Sequence, residues 1–221
     1  MKVSVVKNIL QANERISVLN KKLFDEKGIF VINMMSAPGA GKTTLIESTI
    51  RALDKDFRIG VIEGDIQSTY DAEVIAATGA QVVQINTGGA CHLDGNMIRE
   101  TFDQLDLDAI DLLIVENVGN LVCPAEFNVG EDHKVMLLSL PEGDDKPQKY
   151  PLMFHESSVL LVNKIDLLPY IEASPGKIRQ EALKINPALQ IYEISGKKNQ
   201  GLRYWYDWLK TKVNEKKHAS S

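Results

Sequence analysis

Ser36-Ala37-Pro38-Gly39-Ala40-Gly41-Lys42-Thr43 stands between an apolar run, Ile29 to Met35, and a helical pattern, Thr43 to Asp54. Strand, glycine-bearing loop and helix in that order are the setting in which a phosphate-binding loop works. Gly39 and Gly41 let backbone N–H groups turn toward phosphate oxygens, and the following helix N-terminus adds a favourable dipole. Lys42 can reach the β- and γ-phosphates and the Thr43 hydroxyl can hold Mg²⁺, with Ala40 and Thr44 counted in the same cradle. Ser36 takes the place where the usual pattern starts with glycine, a departure confined to the first turn of the loop. A glycine-rich turn that merely caps a helix is the plainer alternative, and the flanking strand and helix argue against it.

Around this loop the chain alternates. Strand-like runs are expected at Ile29 to Met35, Arg58 to Glu63, Gln81 to Asn86, Leu112 to Glu116, Val135 to Leu140, Val159 to Asn163 and Gln190 to Ile194. Helical patterns are expected at Thr43 to Asp54, Asp71 to Thr78, Gly95 to Leu105, Gly176 to Ile185 and Gly201 to Lys212. Such alternation predicts an α/β P-loop NTPase fold, a mostly parallel central sheet with helices on both faces. Val3, Val6, Ile9, Leu10, Ile16, Leu19 and Leu23 recur every three to four residues, so one amphipathic helix, or a pair, precedes the first strand as a lid or brace. The organisation expected is therefore an N-terminal helical segment at 1–27, a nucleotide domain at 28–213 carrying a metal site, and a flexible polar tail at 214–221.

Composition narrows the class. The 221 residues with 44% hydrophobic content suffice for one buried core, and a formal charge of -5 with mixed signs offers no basic field for nucleic acid. Lys7 and Asn8 interrupt the short apolar stretch at the start, so neither a signal peptide nor a membrane span is expected, and the location expected is cytoplasmic.

Val159-Leu-Leu-Val-Asn163-Lys164-Ile165-Asp166 brings Asn-Lys-x-Asp to the carboxyl end of a strand, where open α/β sheets bind ligands. The Asp166 carboxylate can accept from N1–H and the exocyclic amine of guanine, whereas adenine lacks the N1 proton and would leave a buried acceptor unpaired. Asn163 can bond the other edge of the purine or tie two loops together, and the stem of Lys164 can lie over the base. Four polar residues after a strand are commonly a turn; the phosphate loop upstream and Ser195-Gly196-Lys197 after a later strand turn the reading toward GTP and GDP. For the phosphate-sensing segments, Glu116-Asn117-Val118-Gly119 stands where a magnesium-holding carboxylate and a switch glycine are expected, so Glu116 is a Mg²⁺ ligand and the Gly119 N–H a γ-phosphate donor. Asp65 is a Mg²⁺ ligand or water-orienting group. A solvated strand-end carboxylate is the plainer alternative for each of the two acids.

The chain has two cysteines, Cys91 beside His92 and Cys123 four residues after Gly119. A lone cysteine is usually packing, which accounts for Cys123 after Leu121 and Val122 but poorly for Cys91, in a polar loop and followed by a histidine. Two thiols and an imidazole are the donor set of Zn²⁺ or Ni²⁺, and three ligands leave the fourth to water, a partner or a second subunit. His133, His155 and His218 stand singly and read as ordinary histidines.

From about Ile9 onward the chain resembles the HypB family, nickel-incorporation GTPases of nickel–iron hydrogenase maturation. The resemblance rests on Ser36-Ala-Pro-Gly-Ala-Gly-Lys-Thr43, Glu63-Gly-Asp65, Cys91-His92-Leu-Asp94, Glu116-Asn-Val-Gly-Asn-Leu-Val-Cys123-Pro, Pro141-Glu-Gly-Asp-Asp-Lys146 and Asn163-Lys-Ile-Asp166. It implies a GTPase core of the signal-recognition and nitrogenase-iron-protein class, a homodimer dependent on nucleotide and metal, and metal ligation by Cys91, His92 and Cys123. It further implies a hydrogenase large-subunit precursor and a HypA-type nickel metallochaperone as partners. The cysteine-rich and histidine-rich N-terminal stretches of some members have no counterpart here, so nickel storage is not expected. A urease-accessory GTPase is the nearer rival, with Cys-Pro-His where this chain has Cys91-His92. A P-loop kinase or ligase and a zinc-bridged scaffold without turnover are the others. No arginine finger is evident in the switch segments, so slow hydrolysis is expected.

Overall fold

Continuous apolar runs mark the central strands, because both faces of a parallel sheet are covered by helices and neither face is left for polar side chains. The computed structural model describes residues 3–65 and 69–219, with side chains from Leu10 onward. The elements are α1 (Val3–Glu26), β1 (Phe30–Ser36), α2 (Lys42–Leu53), β2 (Ile59–Asp65), α3 (Tyr70–Ala76), β3 (Gln81–Asn86), α4 (Gly95–Arg99), β4 (Leu112–Glu116), α5 (Cys123–Glu126) and β5 (His133–Ser139). There follow α6 (Lys146–Lys149), α7 (Pro151–Glu156), β6 (Val159–Asn163), α8 (Pro175–Ile185), β7 (Gln190–Glu193) and α9 (Leu202–Ala219). The strands form one 7-stranded sheet in the order β3-β2-β4-β1-β5-β6-β7, every neighbouring pair parallel. The expected fold class is the observed one.

Alternation along β1 divides the core. Phe30, Ile32 and Met34 face the layer holding Leu45 and Ile50 of α2 and Trp205 and Trp208 of α9, where Trp205 donates to Thr49 Oγ1 at 3.0 Å. Val31 faces the opposite layer with Phe24 of α1 and Ile98 of α4, and Met35 faces Phe154 and Ile178 of α7 and α8.

The N-terminal segment is one helix among the described residues, and it is a brace. Asn13 accepts from the Gly95 N–H at 2.7 Å and donates to the Asn128 carbonyl at 2.9 Å. Asn20, fully buried, donates to the carbonyls of Gly95 at 2.7 Å and Val129 at 3.2 Å. Of the apolar positions expected to dock it, Val3, Val6 and Ile9 lie outside the described side chains, Leu23 packs on the core, and Leu19 is exposed.

Two expectations are corrected. The tail expected to be flexible from 214 is helical to Ala219, because its lysines have acids to meet: Lys216 pairs with Asp25 and with Asp132, and Lys217 with Asp111 at 2.9 Å. A lysine-rich end without apolar periodicity looks free until the acidic residues at the amino-terminal edge of the sheet are placed opposite it. Ser220 and Ser221 lie outside the described residues. The helix expected over Gly95 to Leu105 stops at Arg99 and gives way to a 3-10 turn at Phe102–Gln104, the Thr101 hydroxyl folding back onto the Ile98 carbonyl at 2.8 Å.

Asn20→Ala removes the donor to two buried carbonyls without filling the space, so a loss of about 1–3 kcal/mol is expected. Urea denaturation should show a lowered midpoint with little change in slope; an unchanged midpoint would mean that α1 contributes nothing to the fold.

Candidate functional site

The phosphate loop is built as a cradle open at the helix end. Gly39 and Gly41 take positive φ values of 72° and 100°, and α2 begins at Lys42 without a side-chain cap, which leaves its first amides free to meet an anion. Lys42 Nζ donates to Ser36 Oγ at 2.9 Å, so the serine that departs from the usual pattern holds the lysine over the loop. Thr43 Oγ1 donates to Glu116 Oε1 at 3.1 Å. Gly119 presses on the loop from the far side: a Cβ there would lie 2.9 Å from both N and Cα of Pro38, so a side chain cannot be placed without moving backbone. Pro38, Lys42, Asp65, Glu116 and Gly119 line one cleft of about 230 Å³.

Glu63 and Asp71 line the same cleft, and sequence reasoning did not single them out as site residues. Parallel register sets Glu63 of β2 beside Glu116 of β4, with exposures of only 2% and 4%. Burial pushes the Glu63 carboxyl up to about 8, helped by Glu116, Asp65 and Asp71. Burial likewise pushes Glu116 up to about 7, against the opposing pull of Lys42 and the Thr43 hydrogen bond. Burial lowers Lys42, against the attraction of Glu116, Asp71, Glu63 and Asp65. One ammonium among four acids is an under-neutralised cluster. Among the described residues, Oε2 of Glu63 and Oε2 of Glu116 lack any hydrogen-bond partner. Two orphaned carboxylate oxygens and a threonine hydroxyl form a hard-oxygen donor set that fits Mg²⁺.

At the other end of the loop, Asn163 ties rather than probes: its Nδ2 donates to the Ala40 carbonyl at 2.9 Å and its Oδ1 accepts from the Gly196 N–H at 3.0 Å. Lys164, in the left-handed region with φ 63°, donates through Nζ to the Gly39 carbonyl at 2.7 Å. The Ser195 hydroxyl donates to Asp166 Oδ1 at 2.6 Å, orienting that carboxylate. Gly39, Gly41, Thr44, Lys164, Asp166 and Lys197 border a second cleft of about 390 Å³, which shares Gly39 with the phosphate cleft. A ligand with phosphates at one end and a flat ring at the other matches the pair.

Cys91, His92 and Cys123 lie with their donor atoms within 4.8 Å of one another, the two sulfurs 2.8 Å apart and Cys91 Sγ 3.5 Å from His92 Nδ1. The Cys91 arm hangs between β3 and α4, where Asp94 caps α4 by accepting from Met97 N–H at 2.9 Å. Cys123 opens α5 with Pro124 in the first turn, and buried Lys134 donates to the Ala125 carbonyl of that helix at 2.7 Å. His92 stacks on Phe127 at 3.8 Å; burial holds its imidazole below the ordinary value against the pull of Asp94 and Glu126, leaving a neutral ring able to donate a lone pair. Cys91 is exposed, so a donor from outside the chain can reach the cluster. His133, by contrast, packs against Phe30 and Trp208.

Residues 30–193 match the CobW/HypB/UreG nucleotide-binding domain family. A hydrogenase maturation factor HypB from Azotobacter chroococcum is 45% identical over 208 residues, covering 94% of this chain and 68% of the relative. Among solved structures, HypB from Helicobacter pylori in complex with nickel superposes with a TM-score of 0.88 at 38% identity, over 92% of this chain and 96% of that one. The hydrogenase maturation factor HypB from Archaeoglobus fulgidus gives 0.87 at 37% identity, over 92% and 100%. Fold, phosphate loop and these likenesses converge: the chain belongs to the HypB branch of the CobW/HypB/UreG nucleotide-binding family.

Proposed function

We propose that this chain is a GTP-hydrolysing metallochaperone that helps insert nickel into a hydrogenase precursor, its nucleotide state setting its hold on the metal. The observation that carries this reading is continuity. Glu116, Asn117 and Gly119 line the phosphate cleft, and the same backbone reaches Cys123 four residues later. Cys91 and His92 complete the donor set from the other arm. The Helicobacter pylori neighbour at TM-score 0.88 was solved with nickel, and the matched relative is named a hydrogenase maturation factor.

In this reading Lys42 leaves Ser36 for the β- and γ-phosphates, and the α2 amides take the remaining oxygens. Thr43 and Glu116 would hold Mg²⁺, with Asp65 as a further ligand or as the group orienting the attacking water, and the ion would supply positive charge to offset that of the phosphates. Asp166, fixed by Ser195, selects guanine. Gly119, seated on Pro38, offers its N–H to the γ-phosphate, so loss of that phosphate frees the segment that ends in Cys123. Hydrolysis by the isolated chain is slow. Three donors per chain leave a coordination position for water, a HypA-type metallochaperone or a second copy, and Val122, 51% exposed beside Cys123, supplies apolar surface for a homodimer contact. The setting is cytoplasmic, in line with the lack of any helix long and apolar enough to cross a membrane among the described residues.

Nickel titration of the protein bound to GDP and to a non-hydrolysable GTP analogue tests the reading. Unequal affinities are expected, with Cys123→Ala weakening both and leaving GDP binding intact; equal affinities and equal masses in solution would end it. The buried acids give a second expectation. Glu63 and Glu116 titrate higher in the folded chain, near 8 and 7, than their ordinary 4.5. The folded state therefore keeps protons that the unfolded chain releases, and nucleotide-free stability falls as pH rises from about 4.5 to about 8. Urea midpoints across that window should decline, and Glu63→Gln should flatten the decline; an identical slope in the variant would show that Glu63 is not responsible.

A further inference from the structure

Leu93 is the one apolar residue in Cys91-His92-Leu93-Asp94, and it is fully buried. Its side chain lies on Gly64, where a Cβ would meet Leu93 Cγ and Cδ1 at 2.7 Å. Gly64 stands between Glu63 and Asp65, so the leucine rests on the strand end that floors the phosphate cleft. The Leu93 N–H donates to Asn117 Oδ1 at 2.9 Å. That oxygen also accepts from the Val118 N–H at 3.0 Å, and the buried Asn117 is anchored to β1 through Nδ2 to Asn33 Oδ1 at 3.0 Å and through its own N–H to the Met34 carbonyl at 3.0 Å. One residue next to His92 is thus held by β2 through packing and by the segment that follows β4 through a shared acceptor.

We infer that Leu93 and Asn117 are positioning residues that couple the Cys91–His92 arm of the cluster to the occupant of the phosphate cleft, an inference that rests on the nucleotide-gated function proposed above. The physical reason is the shared oxygen. A rotation of the 117–119 backbone that turns an amide toward a γ-phosphate changes what Asn117 Oδ1 can offer Leu93. Leu93 cannot ignore the change, because close packing leaves no void between its side chain and Gly64. Both arms of the cluster then respond to one event, Cys123 through the chain and Cys91–His92 through Leu93. None of the three donor residues is itself altered by the coupling, so it acts on their spacing.

The test is the ratio of nickel Kd values in the GDP and GTP-analogue states, measured on the full chain with nickel alone as probe. Coupling of ordinary size makes that ratio about 5- to 150-fold in the unsubstituted protein. Leu93→Ala is expected to bring it close to 1, Asn117→Ala to do the same, and Leu93→Met, which keeps the contact with Gly64, to preserve it. A merely structural role would weaken nickel equally in both states, and an undiminished ratio in Leu93→Ala would overturn the inference. Should Leu93→Ala fail to bind GDP, Leu93→Val replaces it: a partial fall in the ratio supports the coupling, and no fall overturns it. A ratio of 1 in the unsubstituted protein would instead strike the proposed function itself, which keeps the two failures apart.

Discussion

A parallel sheet releases all its strands at one edge, and the chemistry of this chain depends on that constraint. β1 ends in the phosphate loop, β2 in Glu63-Gly64-Asp65, β4 in Glu116 and the segment to Cys123, and β6 in Asn163-Lys164. β3 leads through a turn, in which Thr87 Oγ1 donates to the Ala90 carbonyl at 3.1 Å, into Cys91. Crossovers through α2 and α3 return the chain to the amino-terminal end of the sheet each time, as parallel strands require. Segments far apart in sequence therefore meet without any being long. The order β3-β2-β4-β1 puts the Cys91 arm on the same side of β1 as the Cys123 segment, while Asn163 and Asp166 lie on the other.

Placing the acids at one edge has an electrostatic consequence. Burial raises Glu63 and Glu116 and lowers Lys42, so the cleft favours the uncharged form of each group more than water does. Buried carboxylates with orphaned oxygens and a lysine restrained by Ser36 give the cleft a chemistry that suits an ion and phosphates. The soft donors, Cys91, His92 and Cys123, do not line it, and Leu93 and the 116–123 segment run from the cleft toward them. In the proposed function, hard and soft cations would be sorted by these two donor sets.

Much of this was legible in the sequence because the relevant signals are local. The phosphate loop, the apolar runs of β1, β4 and β6 and the Asn163-Lys164-Ile165-Asp166 turn each carry their reading within a few residues. What was hidden depended on partners far along the chain. Glu63 becomes a buried acid only when β2 aligns with β4 in register. Asp71 matters only once α3 brings it to the cleft beside Lys42. The lysines after 214 look solvated until α9 sets them against Asp25, Asp111 and Asp132. Leu93 and Asn117 carry no role of their own in the motifs that contain them, because the bond between them spans 24 positions.

The central claim is that nucleotide and metal share one mechanical unit, and thermodynamic linkage makes it testable from the nucleotide side. If nucleotide state changes nickel affinity, nickel must change the preference between GTP and GDP by the same factor. Affinities for GDP and for a non-hydrolysable GTP analogue should be measured with and without saturating nickel. The account predicts that nickel shifts their ratio by that common factor; an identical ratio with and without nickel would contradict it.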